Sequence, residues 1–140
     1  MNKENIRKII MENYLNPKNR DLPHEGYERI NTRNESCIDN IDLYMKWNGD
    51  VIEDITFSGE ACAISISSTS IMIKNLIGKT KKEALEYIEE FDKMLNGEEY
   101  QKELLKDACC YEEIGKQGSR KVCASLPLKG IKRAILEKLK

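Results

Sequence analysis

Apolar positions at the start of the chain follow a helical period. Ile6, Ile9, Ile10 and Met11 fall on or near one face of a helix expected over residues 3–14. Asn16-Pro17 closes it, because a proline disfavours helical backbone in the residue before it. Residues 21–33 are mixed and polar, with a short strand expected near 27–31. The period then drops to two: Ile41, Leu43, Met45 and Trp47 alternate with Asp42, Tyr44 and Lys46, and residues 51–57 are rich in β-formers. Asn48-Gly49 between these runs predicts a hairpin with a type I′ turn, which needs two positive-φ positions. From Ala61 onward helical spacing returns. Thr80-Lys81-Lys82-Glu83 is a capping box opening a helix to about residue 92, with Ala84, Leu85, Ile88 and Phe91 or Met94 inward. Gly97 separates it from a helix expected over 98–107. A last helix, 129–140, carries Ile131, Ile135, Leu136 and Leu139 as its apolar stripe.

Strands followed by a run of helices imply an α+β fold, a small antiparallel sheet (the hairpin plus a possible third strand) covered on one face by helices. No βαβ alternation supports a doubly wound parallel sheet. The 140 residues suit a single domain spanning 1–140. The longest uncharged stretch, residues 61–73, is 13 residues long and serine-rich, whereas a membrane span needs ~20 apolar residues. With no apolar segment fit for a secretion signal near the N-terminus, a cytoplasmic location is expected.

A net charge of -1 gives no overall drive toward nucleic acid or a membrane surface. The charge is uneven, however. Residues 81–113 carry a net -6 and residues 116–140 a net +7, which reads either as solvated helix faces or as a basic docking surface for an acidic protein.

Five cysteines, Cys37, Cys62, Cys109, Cys110 and Cys123, are an odd number for a chain in a reducing compartment, so metal binding or thiol chemistry competes with simple burial. No C-x-x-C is present and His24 is the only histidine. Cys37 and Asp39 precede the hairpin and Cys62 follows it, so hairpin closure should bring the three together. If Cys123 starts a helix over that end of the sheet, three thiolates and a carboxylate converge, a donor set that suits tetrahedral Zn²⁺. Packed, inert thiols are the alternative. Cys109-Cys110 reads as structural, because adjacent cysteines chelate one ion poorly. His24 reads as a loop histidine. Ser65, Ser67, Ser68 and Ser70 read as small residues that let a buried helix pack closely, since no Ser/His/Asp order supports a hydrolase.

The three cysteine neighbourhoods together resemble the U-type iron-sulfur cluster assembly scaffolds, the IscU/SufU family. Its members read N-P-x-C-G-D, then S-G-x-x-C-A-I-S, then R-x-x-C-A. Here stand Asn34-Glu35-Ser36-Cys37-Ile38-Asp39, then Ser58-Gly59-Glu60-Ala61-Cys62-Ala63-Ile64-Ser65, then Arg120-Lys121-Val122-Cys123-Ala124. Tyr14, Asn16, Pro17 and Asn19 match the family's opening as well. The 61-residue step from Cys62 to Cys123, with Val122 rather than histidine before the last cysteine, resembles the SufU branch.

That resemblance implies zinc held by Cys37, Asp39, Cys62 and Cys123, with Cys37 accepting a persulfide and Arg120 a basic residue beside the site. It implies a SufS-like cysteine desulfurase as partner, a SufBCD-type scaffold downstream, and sulfurtransferase-like activity. The L-P-P-V motif is missing, so the chaperone that reads it is not expected. Glu35 and Ile38 replace the family's proline and glycine, which changes the backbone freedom of the loop presenting Cys37, and Ile38 in place of glycine should stiffen it. Two other readings use the same ligands: a scaffold on which a [2Fe-2S] cluster or iron assembles, and a structural zinc module without sulfur chemistry.

Overall fold

The computed structural model describes residues 1–35 and 38–138. Helix α1 (Lys3–Leu15) starts at Asn2, whose side chain accepts the Asn5 N–H at 2.8 Å, and stops ahead of Asn16-Pro17. Ile6, Ile9 and Ile10 pack on the core, but Met11 is exposed and Asn13 is the residue this helix buries. The Asn13 side-chain oxygen accepts the Ser70 hydroxyl and the Lys74 ammonium, both at 2.8 Å, so its burial follows from polar pairing that hydrophobic spacing cannot register.

Strands β1 (Glu28–Arg33), β2 (Asn40–Asn48) and β3 (Val51–Glu60) form an antiparallel sheet in the order β1-β2-β3. Strand β1, the strand expected near residues 27–31, lies slightly later. Ile41, Leu43 and Met45 turn to the core as their alternation requires. The turn differs from type I′. Lys46 pairs with Asp54 but Trp47 with Ile52, so β3 holds one extra residue and the pairing extends to Asn48 with Val51. The loop is therefore Gly49-Asp50, and of its two residues only Gly49 has positive φ, +61°.

Helix α2 (Ala63–Leu76) runs through the interior, packed between α1, α5 and β3. Its buried hydroxyls are all partnered: Ser67 with the Tyr111 hydroxyl, Ser68 with the Ala124 carbonyl, Thr69 with the Ser65 carbonyl. Helix α3 (Lys81–Leu95) begins on the Thr80/Glu83 capping box and buries Ala84, Ile88, Phe91 and Met94, with Leu85 only partly covered.

The helix expected over 98–107 is instead a single turn, α4 (Lys102–Leu105), followed by 3₁₀ turns Lys106–Tyr111 and Ile114–Lys116. Lys106 has φ +49°, which ends α-helical geometry, and the buried Leu105, Ala108 and Tyr111 recur every third residue, the 3₁₀ period. Helix α5 (Gly118–Lys138) begins well before residue 129 and contains Pro127. Ile131 and Ile135 are buried, Leu136 is exposed, and Leu139 lies outside the described residues.

Helix α5 covers β1 and β2. A Cβ on Gly130 would stand 3.0 Å from Leu43 Cδ1, so this glycine permits the close approach, and the Thr32 hydroxyl donates to the Leu126 carbonyl across it at 3.0 Å. Among the described residues no helix is long and apolar enough to cross a membrane.

Candidate metal centre

The β1–β2 connection is tied at its ends, Arg33 pairing with Asn40 and the Asn34 N–H donating to the Asp39 carbonyl at 3.0 Å. Asp39 therefore sits immediately before β2. Asn40 pairs with Glu60, which returns the chain after β3 to the same spot. Gly59 makes that approach possible: its φ is +120°, and a Cβ there would lie 2.2 Å from the Asn40 carbonyl oxygen. Cys62 follows as the N-cap of α2, with its backbone N–H donating to Asp39 Oδ1 at 2.7 Å and its sulfur accepting the Ser65 N–H at 3.5 Å.

Cys123 does not start a helix. It lies in the second turn of α5, which lays it across the same end of the sheet. The donor atoms of Asp39, Cys62 and Cys123 all fall within 4.8 Å of one another. Cys37, the fourth expected ligand, lies outside the described residues.

Asp39 is 1% exposed and Cys123 7%. Burial pushes the Asp39 carboxyl up, but the Cys62 N–H, the Ser65 hydroxyl and the Cys123 and Cys62 thiols outweigh it and hold the group below its ordinary value. Burial pushes the Cys123 thiol well up, and the neighbouring Asp39 and Cys62 push it further. A thiolate at Cys123 thus requires a local positive charge. Tetrahedral Zn²⁺ with bonds of ~2.3 Å to sulfur and ~2.0–2.2 Å to oxygen places its ligand atoms roughly 3.5–3.8 Å apart. Cys62 Sγ and Asp39 Oδ2 already stand 3.8 Å apart, and with all three donor atoms within 4.8 Å a small side-chain adjustment suffices for the two sulfurs and one oxygen to hold such an ion.

A cleft of about 790 Å³ opens over Cys62 and Cys123, and Arg120, exposed at the start of α5, lines it with Asn34, Ile64 and Val122. The other candidates stand apart from the cluster. Cys110 is fully buried, its thiol pushed up to about 12 by burial first, and Cys109 is half-buried beside it. His24 stacks on Tyr44 with ring centroids 3.6 Å apart. Ser65, which the sequence presents as a packing residue, donates its hydroxyl to Asp39 Oδ2 at 2.7 Å. A usable signal was Pro127, four residues beyond Cys123, since it leaves the Cys123 carbonyl without a helical donor.

Residues 5–125 match the family described as NifU-like N terminal domain. The chain is 34% identical over 130 residues to the zinc-dependent sulfurtransferase SufU of Bacillus subtilis, covering 92% of this chain and 88% of that relative. It is 39% identical over 113 residues to the iron-sulfur cluster assembly scaffold protein IscU of Streptococcus pyogenes, covering 79% and 70%. A crystal structure from Fervidobacterium islandicum AW-1, described as FiSufU, a scaffold candidate for the SUF system, superposes with a TM-score of 0.87 at 33% identity over 91% of this chain and 94% of the other. With so much of its length matched and its fold shared, the chain belongs to the NifU-like N-terminal domain family, among whose members similar to it are SufU and IscU proteins of iron-sulfur cluster assembly.

Proposed function

We propose that this protein binds zinc and accepts persulfide sulfur from a cysteine desulfurase for iron-sulfur cluster assembly, passing it toward a SufBCD-type scaffold. The observation that carries the reading is the convergence of Asp39, Cys62 and Cys123, from the β1–β2 connection, the α2 cap and α5, to within 4.8 Å. The similarity to a zinc-dependent sulfurtransferase supports both the choice of ion and the activity. Cys37, two residues before Asp39 in sequence, is assigned as fourth ligand and sulfur acceptor. Bound zinc would keep the thiols deprotonated near neutral pH.

The Cys37 thiolate attacks the terminal sulfur of the donor persulfide, R–S–SH. A new S–S bond forms, the donor S–S bond breaks, the donor cysteine leaves as R–S⁻, and the proton stays on the transferred sulfur as Cys37–S–SH. Arg120, at the mouth of the cleft, supplies positive charge where the anionic sulfurs meet.

Incubation with a cysteine desulfurase and cysteine, followed by thiol labelling and mass spectrometry, should place persulfide on Cys37. Labelling mainly on Cys109 or Cys110, or on no cysteine, would overturn the assignment. Anaerobic purification should yield stoichiometric, colourless zinc protein, whereas a brown, oxygen-labile product would favour the reading as a cluster scaffold, which the IscU similarity also supports.

A further inference from the structure

Ser65 touches all three described members of the candidate centre and has no role in the reaction above. It is fully buried in the first turn of α2. Its N–H meets Cys62 Sγ at 3.5 Å, its hydroxyl donates to Asp39 Oδ2 at 2.7 Å, and the same oxygen stands 3.0 Å from the Cys123 carbonyl. In an unbroken helix that carbonyl would accept the N–H of residue 127, but Pro127 has none. One hydroxyl proton thus faces two acceptors, and the carboxylate, closer and charged, is the stronger. With Cys62 N–H on Oδ1 at 2.7 Å and Ser65 on Oδ2, both oxygens of Asp39 are anchored and rotation about its Cβ–Cγ bond is fixed.

We infer that Ser65 is a positioning residue that orients the Asp39 carboxylate toward the metal, an inference resting on the reading of Asp39, Cys62 and Cys123 as ligands. Hydrogen-bond partners of a ligating group are commonly worth about 10- to 100-fold in metal affinity. The fold supplies its own control one turn along. Ser68 is buried in the same helix and donates to the Ala124 carbonyl at 2.5 Å, the same type of α2–α5 bond with no ligand attached.

The test measures zinc affinity by chelator competition, together with the Co²⁺ ligand-field spectrum, for the wild type, Ser65→Ala, Asp39→Ala, their double variant and Ser68→Ala. Ser65→Ala should weaken zinc about 10-fold or more while still taking up one equivalent at saturation, and its Co²⁺ spectrum should move toward that of Asp39→Ala. In the Asp39→Ala background the same change should matter by no more than about 2-fold, because the group it orients is gone. Ser68→Ala should lower the melting temperature yet leave affinity and spectrum alone. Equal losses in both backgrounds, or a loss in Ser68→Ala matching that in Ser65→Ala, would reduce Ser65 to packing and overturn the inference. Should Ser65→Ala fail to fold in the metal-free form, it and the double variant are folded with excess Zn²⁺, which stabilises the native state, and the rate of zinc loss to a chelator reads the same difference. Cys123→Ala separates the underlying reading: unchanged metal uptake there would remove the site itself.

Discussion

At the proposed zinc centre, losing the oxygen ligand Asp39 and losing the sulfur ligand Cys62 should have different consequences. Asp39→Ala opens one position that water can fill, leaving the thiolates in place, so zinc should remain bound but exchange with a chelator faster. Cys62→Ala removes a ligand and alters the cap of α2, so it should lose zinc outright; equal zinc content and exchange in the two variants would contradict these unequal roles. At this scale the pairing of Asp39 with Cys62 was legible, because a hairpin must bring its ends together whatever its turn type. Cys123 was legible only through the family motif, since no local pattern says which end of the sheet α5 crosses. Serine in a buried helix looks the same whether it packs or orients a neighbour, and Pro127 marks the Cys123 carbonyl as an open acceptor without naming Ser65 as the group that meets it.

Elements are held in place through a few positions where replacement is costly. Gly59→Ala would force a Cβ against the Asn40 carbonyl at a φ of +120°, and strain of this kind costs about 1–3 kcal/mol. A fall of roughly 5 °C in melting temperature follows, with weaker zinc binding because Asp39 and Cys62 depend on that strand pairing. Glu90 ties α3 to the start of α4, accepting the Gln101 backbone N–H at 3.1 Å and its side-chain amide at 3.2 Å. That backbone bond, more than the nearby Lys93, holds the Glu90 carboxyl below its ordinary value. A depressed folded-state pKa contributes stability above the unfolded value of about 4.3 and loses it as pH falls through the lower folded value. Glu90→Gln should therefore show a shallower loss of melting temperature on acidification below about pH 4.3 than the wild type; parallel acid limbs would mean the carboxylate contributes nothing. The capping box of α3 could be read directly because it is local. The early start of α5 could not, since Pro127 reads as a helix stop and the hydroxyl partners of the neighbouring carbonyls come from Thr32, Ser65 and Ser68, distant in sequence.

On the whole molecule, the net +7 of residues 116–140 resolves into separate roles. Arg120 lines the cleft over Cys62 and Cys123, while Lys121 is engaged by the Asn96 side chain and leaves the set of free cations. Lys129, Lys132 and Arg133 line a groove of about 610 Å³ between β1 and α5, with Arg33 opposite and the buried Leu126 among its walls. Asn34 and Val122 line both this groove and the proposed metal cleft, so the two adjoin. Among the described residues Arg33, Lys129 and Lys132 form no ion pair within 4.0 Å, and Arg133 donates to the Asn31 carbonyl at 2.6 Å. Glu35 also lines the groove and Lys129 and Lys132 act on Asp92, but the excess of cations beside the proposed metal cleft suits a desulfurase with an acidic rim, and exposed charges of this kind act mainly on encounter rather than on chemistry. The association rate should fall as salt rises, because the Debye length shrinks from about 10 Å at 0.1 M to about 3 Å at 1 M. Lys129→Glu/Lys132→Glu should slow association about 10-fold at low salt and approach the wild-type rate at high salt. The persulfide transfer step, measured in a single turnover of the preformed complex, should be unchanged. Stopped-flow association across a salt series checks this: a rate indifferent to salt, or a double variant equal to wild type at low salt, would return these lysines to the status of solvated surface.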